Sequence, residues 1–266
     1  MKKASILLLL LIGAAVSAQQ SGSSREALKQ VKPGWVQQLL YEQVLVSPIA
    51  LCYSGDNNLY VYEYSRKMLY RMRPDGDLTE VASTGAVDIR AMAWQSGKER
   101  LVGFDVHSMY YLYPGRFQKI RDLDPSIMVS TVSVNPRDNS IFVGHEEPGG
   151  SIAHLDADGR LIQILKRGVQ GCSQMAYDAR RGVLYYSETF AGTISALDPR
   201  SRHTEVIVDS AGIPGTVEPI MIWLDDGNAL WYFTVADGMY RYDNCGFKEM
   251  APPMMGAGPI VWSPRN

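Results

Sequence analysis

The feature that most constrains the fold is a unit of about forty residues that recurs along the chain. Each unit contains an apolar strand that ends on a bulky residue, then a polar turn and a second apolar strand. The end residues of these first strands are spaced by 41, 40, 43, 46 and 39 positions, at Tyr53, Trp94, Val134, Tyr177, Trp223 and Trp262. Short strands at such a period are typical of β-propeller blades.

Each unit continues with a hairpin whose turn is rich in Gly, Pro and Asp. Met68–Met72 precedes Pro74-Asp75-Gly76, and Thr193–Leu197 precedes Asp198-Pro199. These residues suit turns because they tolerate positive φ, fix φ or bond to their own backbone. With the strands of a blade named A to D from the inside outwards, the pattern gives six A strands, six C–D hairpins and five B strands. The chain therefore predicts an all-β fold, a six-bladed β-propeller in one domain over residues 19–266.

The last blade is predicted to join the two ends of the chain. Its A strand lies at residues 259–263 and its C–D hairpin at residues 27–40. Such a join closes the ring without open sheet edges. One B strand is missing from the pattern. Three explanations stay open: residues 19–24 supply the strand, it lies beyond Asn266, or the ring has five blades with loose ends.

The first eighteen residues have the pattern of a signal peptide. Lys2 and Lys3 precede an apolar run over residues 6–16, and Val16-Ser17-Ala18 places small residues at the cleavage site. About eleven apolar residues are too few to span a bilayer, so no transmembrane span is expected in the mature chain. The protein is predicted to be exported, to the periplasm or the medium.

Charge and cysteine usage exclude two further classes of function. The formal net charge is −2 without a basic block, so no nucleic-acid partner is expected. The three cysteines lack the spacing of zinc ligands. Cys52 lies between Leu51 and Tyr53 in an inner strand, which predicts a buried, unreactive thiol.

Candidate site residues lie in the D–A and B–C loops, which emerge on one face of a propeller around its central channel. Functional groups are commonly built on such loops over a rigid scaffold. The residues predicted to bind a ligand there are Asp88, Arg90, Ser130, Ser173, Gln174 and Glu188. Asp88 and Arg90 could instead form a structural ion pair. The large residues that end the A strands, defined above by their spacing, are expected to pack in the core rather than contact a ligand.

One segment resembles a known blade motif. Within residues 182–199, the order is Leu184-Tyr185-Tyr186, the acid Glu188, then Thr189, Gly192, Ile194 and finally Asp198-Pro199. This order resembles the six-bladed propellers of the SMP-30/gluconolactonase, strictosidine-synthase and NHL-repeat group. The resemblance implies a divalent cation such as calcium in the channel, as in the lactonases of that group. Their Glu-Gly-Pro-x-Trp ligand stretch has its nearest match at Glu218-Pro219, without the glycine, and their metal-binding Asn has no counterpart at the expected position.

Two functions follow from these patterns. The first is an exported binding protein that holds a small molecule, a glycan or another protein at the mouth of the channel. The alternative is a metal-dependent hydrolase of the lactonase type, with an altered metal site built from Glu218, Asp88 and Glu188. The missing Asn and Glu-Gly-Pro residues favour the binding function.

Overall fold

The computed structural model describes residues 45, 47–55, 57–73, 76–209, 219–225, 227–234, 238–243 and 246–251. In this part of the chain, regular structure consists of twenty short strands and one 3-10 turn at Ser96–Lys98. The strands form five four-stranded antiparallel sheets, and each sheet contains four strands that are consecutive in the chain. This arrangement is the blade order predicted from the forty-residue unit.

The five blades follow one another along the chain. Blades 1 and 2 contain β1 (Pro48–Tyr53), β2 (Leu59–Glu63), β3 (Met68–Met72), β4 (Leu78–Ser83), β5 (Ala91–Gln95), β6 (Arg100–Phe104), β7 (Ser108–Tyr113) and β8 (Arg116–Asp122). Blades 3 and 4 contain β9 (Thr131–Val134), β10 (Ile141–Gly144), β11 (Pro148–Leu155), β12 (Leu161–Gln170), β13 (Cys172–Asp178), β14 (Val183–Glu188), β15 (Thr193–Leu197) and β16 (Thr204–Val208). Blade 5 contains β17 (Pro219–Leu224), β18 (Leu230–Thr234), β19 (Gly238–Asp243) and β20 (Gly246–Ala251).

The tight C–D turns form where the Gly-rich signals predicted them. Gly76, Gly115 and Gly159 have φ values of 90°, 77° and 84°. This left-handed region costs glycine nothing, whereas a side chain would be strained there. Local turn chemistry therefore sets the hairpin register in blades 1, 2 and 3.

The core is divided into layers between neighbouring blades. Tyr62 of blade 1 packs with Leu101 of blade 2, and Phe104 of blade 2 packs with Ile141 of blade 3. Further round the ring, blade 3 packs on blade 4 through Phe142 and Tyr186, and blade 4 packs on blade 5 through Tyr185 and Tyr232. Because each blade contributes one apolar face to each neighbour, the core extends around the ring.

The number of blades differs from the prediction. The all-β propeller is confirmed, but the described residues form five blades rather than six. The predicted sixth blade, at residues 27–40 and 259–263, lies outside the described residues, as does the predicted signal peptide at residues 1–18. Innermost strands pack in sequence, β1 on β5, β5 on β9, β9 on β13 and β13 on β17, whereas β17 and β1 have no comparable contact among the described residues.

Candidate functional site

The innermost strands of all five blades surround one central channel. Its cavity has a volume of about 630 Å³ and is lined by residues of β1, β5, β9, β13 and β17 and of the loops before them. The D–A and B–C loops lie at one end, here called the upper mouth. The A–B turns lie at the other end, here called the lower mouth.

Four of the predicted ligand-binding residues line this cavity. They are Arg90, Ser130, Ser173 and Gln174, and Glu146 joins them. Backbone hydrogen bonds fix the loops that carry two of them, because Arg90 N donates to Phe104 O at 2.7 Å and Ser130 N donates to Gly144 O at 2.9 Å. The Ser130 hydroxyl oxygen accepts the Glu146 N–H at 2.7 Å, which ties a D–A loop to a B–C loop.

A β-bulge positions Ser173 and Gln174. In the pairing of β13 with β14, Cys172 lies opposite Glu188 and Met175 opposite Tyr186, so two residues of β13 face Ser187 alone. Such an extra residue turns side chains away from the regular alternation, and bulges are common near functional sites. The Ser187 hydroxyl accepts the Gln174 N–H at 3.1 Å and lies 2.9 Å from the Ser173 hydroxyl, so the bulge is held by side chains.

The predicted residue Asp88 does not line the cavity. It pairs with the Lys67 ammonium, which also lies 3.5 Å from the centre of the Tyr64 ring. The hydrogen bond with Asp88 raises the pKa of Lys67 above its ordinary value. Asp88 therefore forms an ion pair, but with Lys67 rather than with Arg90, the partner considered as an alternative to a ligand role; Lys67 lies in a loop that the sequence pattern had not singled out.

Glu188 also lies away from the cavity lining. The residue is buried, with a relative exposure of 6%. It accepts the Gln170 N–H at 2.9 Å and lies 3.5 Å from the Lys166 ammonium. Both interactions join β12 of blade 3 to β14 of blade 4. The Glu188 carboxylate therefore helps to hold these two blades together.

The residues that could hold a metal are few in the described part of the chain. No group of three or more His, Cys, Asp or Glu side chains has metal-binding geometry among the described residues. Glu218, the predicted metal ligand, lies outside them. Calcium binding therefore stays a prediction.

The sequence interpretation missed the aromatic residues of the lower mouth. Tyr53, Trp94, Tyr177 and Trp223 line the cavity, although they were expected only to pack in the core. Tyr53, Trp94 and Tyr177 are half-buried, whereas Trp223 is 5% exposed. The available signal was their common position, immediately before each A–B turn. That position places them at the end of the innermost strand, at the lower mouth of the channel.

Comparisons with known proteins support the fold. No family model and no curated protein matches the chain. Solved structures do match. The nidogen/laminin complex contains a chain with a TM-score of 0.70 and 14% identity, over 81% of this chain and 84% of that one. A gluconolactonase from Xanthomonas campestris matches with a TM-score of 0.69 and 16% identity, over 85% and 86%. The calcium-binding protein regucalcin from Agrobacterium tumefaciens matches with a TM-score of 0.65 and 17% identity, over 83% and 79%.

This chain shares their β-propeller fold. The fold resemblance drawn from residues 182–199 is thereby confirmed. At these identities the likeness shows the architecture alone, because propellers of one architecture carry many activities. Among the described residues, no helix has the length and apolar character needed to cross a membrane.

Proposed function

We propose that the protein binds a small polar molecule in its central channel. The observation that carries this proposal is the convergence of Arg90, Ser130, Ser173, Gln174 and Glu146 on one cavity. The volume of about 630 Å³ falls within the range of about 300–1,000 Å³ found for small-molecule sites. One guanidinium, one carboxylate, one amide and two hydroxyls offer both donors and acceptors, as a ligand rich in hydroxyl or carbonyl groups requires.

The test is a thermal-shift screen of the mature protein with a library of small polar metabolites. A ligand that binds only the folded state raises the melting temperature by mass action. Arg90→Ala and Gln174→Ala should weaken binding of a hit by tenfold or more, because each removes a hydrogen-bond donor from the cavity. Arg160→Ala and Gln118→Ala, at exposed positions outside the cavity lining, are the matched controls. Equal binding by all four variants would contradict a site at the upper mouth.

A sixth blade completes the channel in this proposal. On blade 1, Leu59, Val61 and Tyr70 are at most 2% exposed but belong to a cluster without residues of blade 2. On blade 5, Trp231 and Phe233 are at most 3% exposed and belong to none of the described layers between blades. Both faces are buried although no described neighbouring blade packs on them. A sixth blade built from residues 27–40 and 259–263 would account for this burial.

Hydrogen exchange tests the sixth blade. Backbone amides of paired strands exchange slowly, so residues 27–40 and 259–263 should be protected like β2 or β14. Rapid exchange in both segments would leave the five-bladed alternative.

The proposed place of action is outside the cytoplasm, because residues 1–18 have the pattern of a signal peptide. The exported protein should then begin at Gln19.

A metal-dependent hydrolase of the lactonase type is the second candidate. It is supported by the fold shared with a gluconolactonase and with a calcium-binding protein. Of the carboxylates first considered, Asp88 and Glu188 are engaged by Lys67 and Lys166, so we propose Glu146, which lines the cavity, and Glu218 as the carboxylates of a metal site. A melting temperature raised by calcium in the native protein, and unchanged by calcium in Glu146→Gln and Glu218→Ala, would favour this candidate. The absence of a shift with calcium, magnesium, manganese or zinc would contradict it.

A further inference from the structure

The upper mouth of the channel presents one positive and one negative side chain to the cavity. Among the described residues that line the cavity, Arg90 and Glu146 are the two that carry a charge. Arg90 precedes β5 of blade 2, and Glu146 follows β10 of blade 3. These two blades are neighbours, because their innermost strands β5 and β9 pack on each other. A ligand that fills this mouth would therefore meet both charges.

Neither charge is neutralised within the part of the chain that the structure describes. The Arg90 guanidinium makes no ion pair or hydrogen bond there, and its contact with the Tyr64 ring is a distant one, at 5.8 Å from the ring centre. The Glu146 carboxylate likewise has no ion-pair or hydrogen-bond partner among the described residues. The two groups do not pair with each other either. Both charges are therefore left to solvent or to a ligand.

Other charged groups on the same face have partners within the fold. Asp88 pairs with Lys67, and the Glu188 carboxylate lies 3.5 Å from the Lys166 ammonium. The Asp105 carboxylate accepts hydrogen bonds from two backbone N–H groups and a tyrosine hydroxyl of its own blade. These carboxylates hold the loops together. The two charges that face the cavity have no such structural task.

Neutral hydrogen-bonding groups accompany the two charges. The Ser130 hydroxyl oxygen accepts the Glu146 N–H at 2.7 Å, so its own hydrogen stays available to a ligand. The side-chain amide of Gln174 has no hydrogen-bond partner among the described residues. Farther along the innermost strands the cavity lining is apolar, at Met92 and Met175. A ligand with charged ends, carbonyl or amide groups and an apolar side chain would match this distribution.

The opposite signs of the two charges limit the class of ligand. An anion would be attracted by Arg90 but repelled by Glu146, and a cation would meet the reverse. A neutral polyol would pair with neither charge. A ligand that carries both an ammonium group and a carboxylate can pair with both, because an ammonium group only donates and a carboxylate only accepts. Such charge-assisted hydrogen bonds are roughly twice as strong as neutral ones.

We infer that the upper mouth binds a zwitterion, a free amino acid or a short peptide, whose carboxylate pairs with Arg90 and whose ammonium group pairs with Glu146. The inference rests on the proposed function and names its ligand class. The hydroxyl of Ser130 and the amide of Gln174 supply hydrogen bonds to the polar groups of such a ligand. Its side chain lies along the apolar wall, so apolar side chains should bind more tightly than polar ones.

The first experiment is a calorimetric titration of the mature protein with the free amino acids and, separately, with dipeptides of glycine and one apolar residue. At least one zwitterion should bind, and the set to which it belongs distinguishes an amino acid from a peptide. The N-acetyl derivative of the best ligand lacks the ammonium group, and its C-terminal amide lacks the carboxylate. Each derivative should bind tenfold or more weakly than the parent ligand, because each leaves one charge of the site unpaired. This comparison uses only the native protein.

Two variants assign the charges of the ligand to the residues. Glu146→Gln should bind the parent ligand and its N-acetyl derivative equally well, and Arg90→Gln should bind the parent ligand and its amide equally well. Glu147→Gln and Arg167→Gln, at exposed positions outside the cavity lining, should keep the tenfold preference of the native protein. A preference that persists unchanged in Glu146→Gln and Arg90→Gln would overturn the inference.

The outcomes also separate this inference from the function on which it rests. If no zwitterion binds while a neutral metabolite depends on Arg90 and Gln174, the proposed function stands and the zwitterion inference is wrong. The inference is also wrong if the native protein binds either derivative as tightly as the parent ligand, since the site would then select an anion, a cation or a neutral molecule. If neither the zwitterions nor the metabolite library binds, both proposals fail.

Discussion

Substitution of Gly144 by alanine tests how tightly adjacent blades are packed. Gly144 ends β10 of blade 3 and faces Cys172, the first residue of β13 in blade 4. A Cβ on Gly144 would lie 2.8 Å from Cys172 Sγ, 3.2 Å from Cys172 Cβ and 3.3 Å from Thr131 Cγ2, whereas ordinary contact begins at 3.4 Å. Cys172 is 0% exposed and Thr131 is 5% exposed, so neither can move towards solvent.

The expected magnitude follows from two opposing terms. Overpacking a close-packed core costs about 1–3 kcal/mol. Replacing glycine by alanine at a compatible φ returns about 0.4–1 kcal/mol through the entropy of the unfolded chain. We therefore expect Gly144→Ala to lower the free energy of unfolding by about 1.5 kcal/mol, measured by urea denaturation followed through tryptophan fluorescence. Gly55→Ala, at an exposed turn beside a single Trp94 side chain, should stay within about 0.5 kcal/mol of the native protein.

A double variant identifies the cause of the loss. Cys172→Ala alone removes a buried sulfur and should cost about 1 kcal/mol. Together with Gly144→Ala it removes the closest clash, so the pair should be more stable than the sum of the two single variants by about 1 kcal/mol. Strict additivity of the two changes, or a loss below about 0.5 kcal/mol for Gly144→Ala, would refute the packing argument.

Two predictions concern titratable groups. Hydrogen bonds from Arg100 and Tyr111 hold the pKa of Asp158 well below its ordinary value, so its stabilising contribution is present above the unfolded pKa of about 4 and is lost as the pH falls below it. Asp158→Asn should therefore flatten the decline of the melting temperature between about pH 4 and pH 2, and an unchanged decline would contradict this. Burial raises the pKa of the Cys52 thiol to about 12, so iodoacetamide at pH 8 should modify Cys52 only in urea; rapid modification of Cys52 in the folded protein would show that the thiol is accessible.

The contacts of individual side chains were harder to predict than the strands. Ser173 and Gln174 line the channel, because the A strand follows a short D–A connection whose position in a blade is fixed, and their ligand-binding role stays a prediction. Asp88 was given a ligand role, but it pairs with Lys67, twenty-one positions earlier in the chain. The pairing of β3 with β4 brings these two loops together, because Met68 lies opposite Ser83 and Thr84 N donates to Lys67 O at 2.8 Å. Cys52 was predicted to be buried and unreactive, and its burial is confirmed.

For the aromatic residues of the A strands, the sequence predicted the positions but not which surface each ring lines. Their period was the strongest signal in the sequence, yet it indicated only that Tyr53, Trp94, Tyr177 and Trp223 occupy equivalent places. Equivalent places in a propeller lie at both a blade interface and the channel wall. Whether an aromatic side chain lines the cavity depends on how the blades are arranged around the channel. That arrangement is a property of the assembled propeller.

By itself, the sequence determined the repeating blade, the position of its innermost strand and the turns that separate its strands. These features depend on hydrogen bonds and side-chain alternation within about forty residues, so a local pattern suffices to specify them. The tertiary structure alone decided which polar groups reach the channel, which are neutralised by ion pairs, and that one mouth is aromatic. Those outcomes require blades distant in the sequence to meet at a common axis, because burial and charge pairing depend on the neighbours that the ring brings together.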